Sequence, residues 1–364
     1  MDCKKQGTGL SRQRFGNTMI FWIIFILFLT NIFAETDWHK YGWQIYDNAG
    51  DARSVAMGNT SVADGRSVSA LWNPAIDGKG NNRSFTYGHQ SRFAGIIQSD
   101  FVSFPFSIKN NRNFNLVLLH ESVSKIPNTQ NLLLDWGLDG VPNTYDFGEN
   151  NGYLDDGERL DNEIVSYFNQ HQLGVYLSTQ FSIYGQNIGI AIKSLYHKLG
   201  ENHGNGIGLD IGMTKQLRKN TNFGLSIQNL IPGMLVWDSG TIELSKPSIL
   251  LGGTQTVILA KIPLKLIVLS DFIFNIGDQA LSDDFHINST GANWRIGSEI
   301  VYNDKVNVRF GRSKYGFYSA GLGIAWTNFE INYAYQLNSK SVELGTNHVI
   351  SFTLNPNWIK NKIK

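Results

Sequence analysis

Strict two-residue alternation, sustained over most of the chain, limits the fold more than any other feature of the sequence. Leu173, Val175, Leu177, Thr179 and Phe181 alternate with the polar or small residues Gln172, Gly174, Tyr176, Ser178, Gln180 and Ser182. The same pattern returns at Ile188–Ile190–Ile192, at Ile207–Leu209–Ile211–Met213, at Phe223–Leu225–Ile227, at Trp294–Ile296–Ile300 and at Phe329–Ile331–Tyr333–Tyr335. A period of two puts successive side chains on opposite faces of a β-sheet, so one face is apolar throughout. The intervening residues are glycines and charged groups, among them Lys193, Asp210, Arg295, Glu299, Arg309 and Glu330.

A soluble sandwich also alternates, so the connections must decide between the two architectures. The pattern predicts 14 strands, near residues 83–90, 95–107, 114–121, 172–184, 187–198, 205–216, 221–230, 248–259, 264–273, 292–302, 305–313, 317–326, 328–336 and 347–354. Short turns (Gly185 with Gln186, Leu217 to Asn220, Asn303 with Asp304, Thr327) interleave with longer loops at 122–171, 231–247, 274–291 and 337–346. An even strand count with short turns on one side and long loops on the other predicts an all-β chain, a transmembrane antiparallel β-barrel with both ends on the periplasmic side. The brief connection at Lys314 to Gly316 departs from that rule. Closure removes the exposed strand edges that an open sheet would present, and no unpaired backbone group can face lipid.

Several further features agree. Charged residues make up only 17% of the chain, against about 25% for a soluble domain. After residue 34 no apolar run is long enough for a helical span; the nearest, Ser248 to Phe274, is broken by Gly252, Gly253, Lys261, Pro263 and Lys265. The last strand alternates His348, Ile350, Phe352 and Leu354 with Val349, Ser351 and Thr353, resembling the C-terminal insertion signal of outer-membrane barrels, although Asn355 to Lys364 run past it. Trp294, Tyr302, Trp326 and Tyr335 at strand ends suit interfacial girdles.

The N-terminus carries Lys4, Lys5, Arg12 and Arg14, then an apolar run from Met19 to Leu29 ending near Ala34, which predicts a signal peptide over 1–34, or over a shorter segment if Met19 is the start. Removing it takes four basic residues and Asp2, so the 31 basic and 30 acidic residues become 27 and 29. No basic patch is left for a nucleic acid. The only cysteine, Cys3, leaves with the leader, which excludes disulfides from the mature chain.

Between leader and strands, residues 35–82 are rich in small residues and turn formers. Ala52 with Arg53, Met57 with Gly58, and Trp72, Asn73, Pro74 and Ala75 form a spaced motif. On these residues the chain resembles the PorV/PorQ family of outer-membrane proteins, relatives of the FadL long-chain fatty-acid transporters. The family's opening glycine is displaced, since Asp51 stands between Gly50 and Ala52. The resemblance implies an N-terminal plug or hatch inside a barrel formed by residues 83–364. It also implies a role in type IX secretion, in which secreted cargo proteins are handed to surface attachment by secretion-system components. The alternative it implies is FadL-like passive transport of hydrophobic small molecules. Either role has outer membrane lipid as partner and no enzymatic activity.

The longest loop, at 122–171 and expected outside the cell, holds nine acidic residues and one basic residue between Asp135 and Glu163. Asp135, Asp139, Asp146, Glu149, Asn150, Asp155 and Glu158 recur every few residues among glycines, a composition that supplies the oxygens and turns calcium needs. The spacing is not that of an EF-hand, and a solvated acidic loop has the same composition. G-x-S-x-G, Walker A and H-E-x-x-H motifs are absent, and the nearest histidine pair, His197 with His203, carries no metal pattern. The inward charged residues read as a polar network filling a barrel.

Overall fold

The computed structural model describes residues 41–76, 84–108, 112–129, 132–156, 158–259, 261–278, 280–337 and 345–355. The predicted leader with its cleavage point at Ala34, Gly157 of the acidic segment, and the tail beyond Asn355 lie outside the described residues.

Fourteen strands form the wall: β1 Phe85–Arg92, β2 Ile97–Ile108, β3 Arg112–Asn128, β4 Ser166–Ile183, β5 Gln186–Leu199, β6 Asn202–Arg218, β7 Thr221–Trp237, β8 Ser248–Leu259, β9 Leu264–Asn275, β10 Thr290–Tyr302, β11 Val306–Arg312, β12 Tyr318–Ala325, β13 Phe329–Leu337 and β14 Thr346–Leu354. Each pairs antiparallel with its neighbour in sequence, and β1 closes on β14, with Phe85 opposite Leu354 and Ser91 opposite His348. The predicted closed barrel of 14 strands is therefore what forms.

The alternation resolves into an outside and an inside. On β4, Leu173 is 48% exposed while Tyr176 is 1% exposed. The outward set is aliphatic and aromatic over most strands, as with Ile192, Leu322 and Phe310. The rings of Phe104, Phe106 and Phe114 stack across β2 and β3 at 6.2 and 5.4 Å. Trp326 stacks on Phe329 at 4.5 Å near one rim. Among the described residues no helix is long and apolar enough to cross a membrane; an apolar exterior on a closed sheet crosses by strands instead.

The connections at one end, called the outer end here, include the long segments 129–165, 238–247 and 276–289. The opposite, inner end has tight turns such as Tyr184 with Gly185, whose positive φ values match a two-residue hairpin. Strands run further than the alternation alone indicates. β3 reaches Asn128 and β4 starts at Ser166, so the acidic loop is shorter than 122–171, and β5 and β6 meet through only Gly200 and Glu201. Backbone pairing continues past the last apolar residue, because a strand projecting beyond the lipid can carry polar side chains on both faces.

The core lies inside the barrel. Residues 41–76 fold there as a 3-10 turn at Tyr41–Trp43, helix α1 Gln44–Asn48, helix α2 Ala52–Ala56 and a 3-10 turn at Ser67–Leu71. Trp43, Ile45, Tyr46, Val62, Leu71 and Trp72 pack against inward residues such as Tyr176, Leu195 and Leu235.

Candidate functional site: the occupied lumen

Short helices of this kind do not persist in water, so this segment takes its shape from the wall that holds it. Asp51 starts α2 by accepting the Ser54 N–H at 2.9 Å. Its other oxygen accepts from Arg66 at 2.7 Å. Aspartate at the position where the motif departs from glycine thus caps a helix and anchors a cation. Gly58 follows α2 with φ +67, and a Cβ there would run into the backbone of Arg312 on the wall.

At the centre is an ionic cluster. Arg53 bonds Glu299 of β10 through Nε at 2.8 Å and Nη2 at 2.6 Å, and Asp64 through Nη1 at 2.7 Å. Arg66 bonds Asp64 at 2.9 Å. Arg309 of β11 joins from the wall, 2.6 Å from Glu299 and 2.9 Å from Glu330. Burial alone would raise the Asp51 and Asp64 carboxyls. Arg66 for the first, and Arg53 with Arg66 for the second, outweigh that and hold both below the usual carboxylate range. Bidentate arginine pairing of this kind suits buried carboxylates, since every charge keeps a partner.

Around this cluster the wall reads the plug's backbone. Asp271 of β9 accepts the Ser61 N–H at 2.8 Å. Ser319 donates to the Ala56 carbonyl at 3.0 Å, Thr254 to that of Ala63 at 3.0 Å, and Asn115 to that of Ile76 at 2.9 Å. These contacts explain the glycines of the inward face. A Cβ on Gly189 would overlap the backbone of Pro74 and Ala75, one on Gly224 that of Val62, and one on Gly311 that of Gly58.

The motif residues are brought together by this arrangement. Trp72 packs in the lumen core. Asn73 is fully buried, donates to the carbonyls of Val62 and Met213 at 2.8 and 3.1 Å, and accepts the Ala75 N–H at 3.1 Å, so Pro74 sits inside a fixed turn. The carbonyl of buried Met57 accepts from Thr60 at 2.7 Å. Of the inward wall charges, Lys193 pairs with Asp210 at 2.9 Å and lies over the Trp43 and Tyr46 rings, while Arg295 pairs with Asp271 at 3.3 Å. Register slips between β6 and β7 around Leu209 let the Asn229 N–H reach Asp210 at 2.8 Å. Alternation alone missed Asp64, Arg66 and Asp271 as partners; the signal was charge inside otherwise small-residue or apolar segments.

In the acidic loop the carboxylates turn toward its own backbone. Asp135 accepts the Gly152 N–H at 2.7 Å, Asp146 that of Asp139 at 2.8 Å, and Glu158 those of Gly137 and Asp155, both at 2.9 Å. Glu149 accepts from Asn143 and Tyr145, Asp155 accepts from the Asn151 side chain, and the Asn150 N–H donates to the Asp135 carbonyl. Among the described residues no three acidic, histidine or cysteine side chains gather closely enough to hold a metal.

The lumen also keeps open space. A cavity of about 200 Å³ lies at the outer end between α1 and the wall, with Gln44, Gln90, Arg92 and Arg295 among its lining. Asp47 of α1 reaches Lys314 of the outer β11–β12 connection at 3.4 Å.

No protein-family model matches this chain, and no curated protein matches it. Solved structures do. Two crystal structures of the Pseudomonas putida toluene transporter TodX align over 84% of this chain and 98% of theirs, with TM-scores of 0.54 and 0.51 at 13% and 14% identity. A deltaS2 mutant of the TodX monoaromatic hydrocarbon channel aligns over the same shares, with a TM-score of 0.51 at 12% identity. At such identity the likeness is one of fold.

Proposed function

We propose that this chain is an outer-membrane channel whose lumen is closed by residues 41–76 and which passes small molecules when that plug shifts. The observation that carries the reading is the way the plug is held. It is bound by ion pairs and by hydrogen bonds to its backbone, with glycines of the wall making room for it, and among the described residues no disulfide ties it to the wall. Contacts of this kind can part without a covalent bond being broken. The apolar exterior suits a wall set in lipid, and the likeness in fold to TodX, a toluene transporter, supports hydrophobic compounds as the substrate class. The type IX role is implied by the PorV/PorQ resemblance, which rests on the plug motif and the strand count, and no family model supports it. Deleting the gene separates the two. The channel reading expects slower uptake of toluene-like compounds with secreted and surface-attached proteins unchanged, and the reverse result removes it.

We propose separately that calcium orders the acidic loop, with its carboxylates leaving the backbone N–H groups they now accept from in order to gather on the ion. Asp146 Oδ1 is shut off from solvent without a hydrogen-bond partner among the described residues, beside Gly137. Calcium is expected to protect residues 135–158 from protease added to intact cells, with magnesium a poor substitute because it demands a tighter octahedral shell. Protection unchanged in the Asp139→Ala, Asp155→Ala double variant leaves only a solvated loop.

A further inference from the structure

The outer cavity is chemically unlike the barrel's exterior. Six carboxamides line it: Gln44, Asn48, Asn59, Gln90, Gln336 and Asn347. Each carboxamide carries both a donor and an acceptor. Gln336 and Asn347 bond each other, Ser313 and the Phe93 N–H, so Gln44, Asn48 and Gln90 are the ones turned to a ligand. The ionic groups around it are matched in sign, Arg92 with Glu121, Lys314 with Asp47 and Arg295 with Asp271, so a ligand meets little net charge. Asn59 Oδ1, Arg92 Nε and Arg295 Nε are sealed from solvent with no hydrogen-bond partner among the described residues.

Two aromatic residues, Phe93 and Phe317, also line it, together with Ile97 and Ser313. Phe93 occupies the β1–β2 turn with φ +52, followed by Ala94 at φ +55. Turns of this shape ordinarily take Asn-Gly, and a bulky ring on a left-handed backbone is costly. Strain of this kind persists where surrounding structure holds it and often marks a working site. Here Asn347 pins the turn, accepting the Phe93 N–H at 3.3 Å.

We propose that this cavity binds a small neutral polyhydroxylated molecule of the size of a single sugar ring. Hydroxyl groups donate and accept at once and so match carboxamides, while the aromatic residues suit the C–H face of such a ring. A hydrocarbon would strip water from the amides and return no hydrogen bonds. An anion would have to compete with Glu121, Asp271 and Asp47 for the charges of Arg92, Arg295 and Lys314, while the N–H groups left without a partner among the described residues, Arg92 Nε and Arg295 Nε, are sealed from solvent. The site stands apart from the hydrophobic substrate class proposed above and does not depend on the barrel conducting.

The test is calorimetric titration of the full-length chain, purified in detergent, with glucose, galactose, glucuronate and toluene separately. Saturable binding of a neutral sugar is expected, falling roughly tenfold in Phe93→Gly or in Gln90→Leu. Glycine relieves the left-handed turn, so Phe93→Gly keeps or improves heat resistance and its loss of binding is not misfolding. Binding of glucuronate alone, of toluene alone or of nothing overturns the proposal, as does unchanged sugar affinity in both variants.

Discussion

Gly189 on β5 faces the plug directly. Its missing side chain makes room for the Pro74–Ala75 backbone, which has no rotamer to change. Gly189→Val therefore displaces the Asn-Pro-Ala turn while leaving an inward strand position that tolerates a β-branched residue. The expected outcome is normal barrel assembly with faster influx of small solutes, measured by liposome swelling; unchanged influx would mean that the turn does not seal the lumen. Arg53 acts by charge instead. Arg53→Met leaves Glu299 and Asp64 facing each other in the interior with Arg309 and Arg66 as their remaining partners. Breaking a buried pair typically costs about 3–5 kcal/mol. Because Cys3 is the chain's only cysteine and lies in the predicted leader, a Cys at Ala56 reports on the plug: maleimide should label it much faster in the Arg53→Met background than beside native Arg53.

At the scale of elements, the plug's pH response follows from its carboxylates. Asp51 and Asp64 are held below the usual carboxylate range. Groups depressed in the folded state add stability that is complete above their unfolded pKa and is lost as pH falls through the folded one. Plug docking should therefore be flat between about pH 5 and 8 and weaken only in stronger acid. Conductance that rises on approach to neutrality would point to other groups. The strands were legible in the sequence because alternation is a local signal that both lipid and lumen enforce. The partners of the plug were not, because Asp271 and Ser61 lie 210 residues apart and only closure of the barrel brings them together. Asp51 shows the limit from the other side: in sequence it reads as a misplaced glycine, and only the Ser54 N–H and the Arg66 guanidinium reveal a cap. The acidic loop was legible as composition, while the direction its carboxylates face depends on turns at Gly137, Gly148 and Gly152 that composition does not specify.

For the molecule as a whole, the barrel fixes which charges the chain can bear and where. Inside, a cation is welcome: Lys193 sits beside Asp210 and over the faces of two aromatic rings. One residue away, Ile192 points out with 54% of its surface exposed, among Leu177 of β4 and Leu209 of β6. If that surface meets hydrocarbon, Ile192→Arg costs about 2–4 kcal/mol near the midplane, falling toward the interfaces. Tyr184, at the inner turn of the same hairpin and 99% exposed, gives the control. Tyr184→Arg adds the same charge where water reaches it, so it should assemble like the native chain. Folding into lipid vesicles, followed by the gel shift between heated and unheated samples, measures both. The expected result is a lower folded yield for Ile192→Arg alone. Equal yields would mean that the apolar wall is covered by protein rather than lipid, and equal losses would place the inner turn inside the membrane and move the boundary of the hydrophobic band.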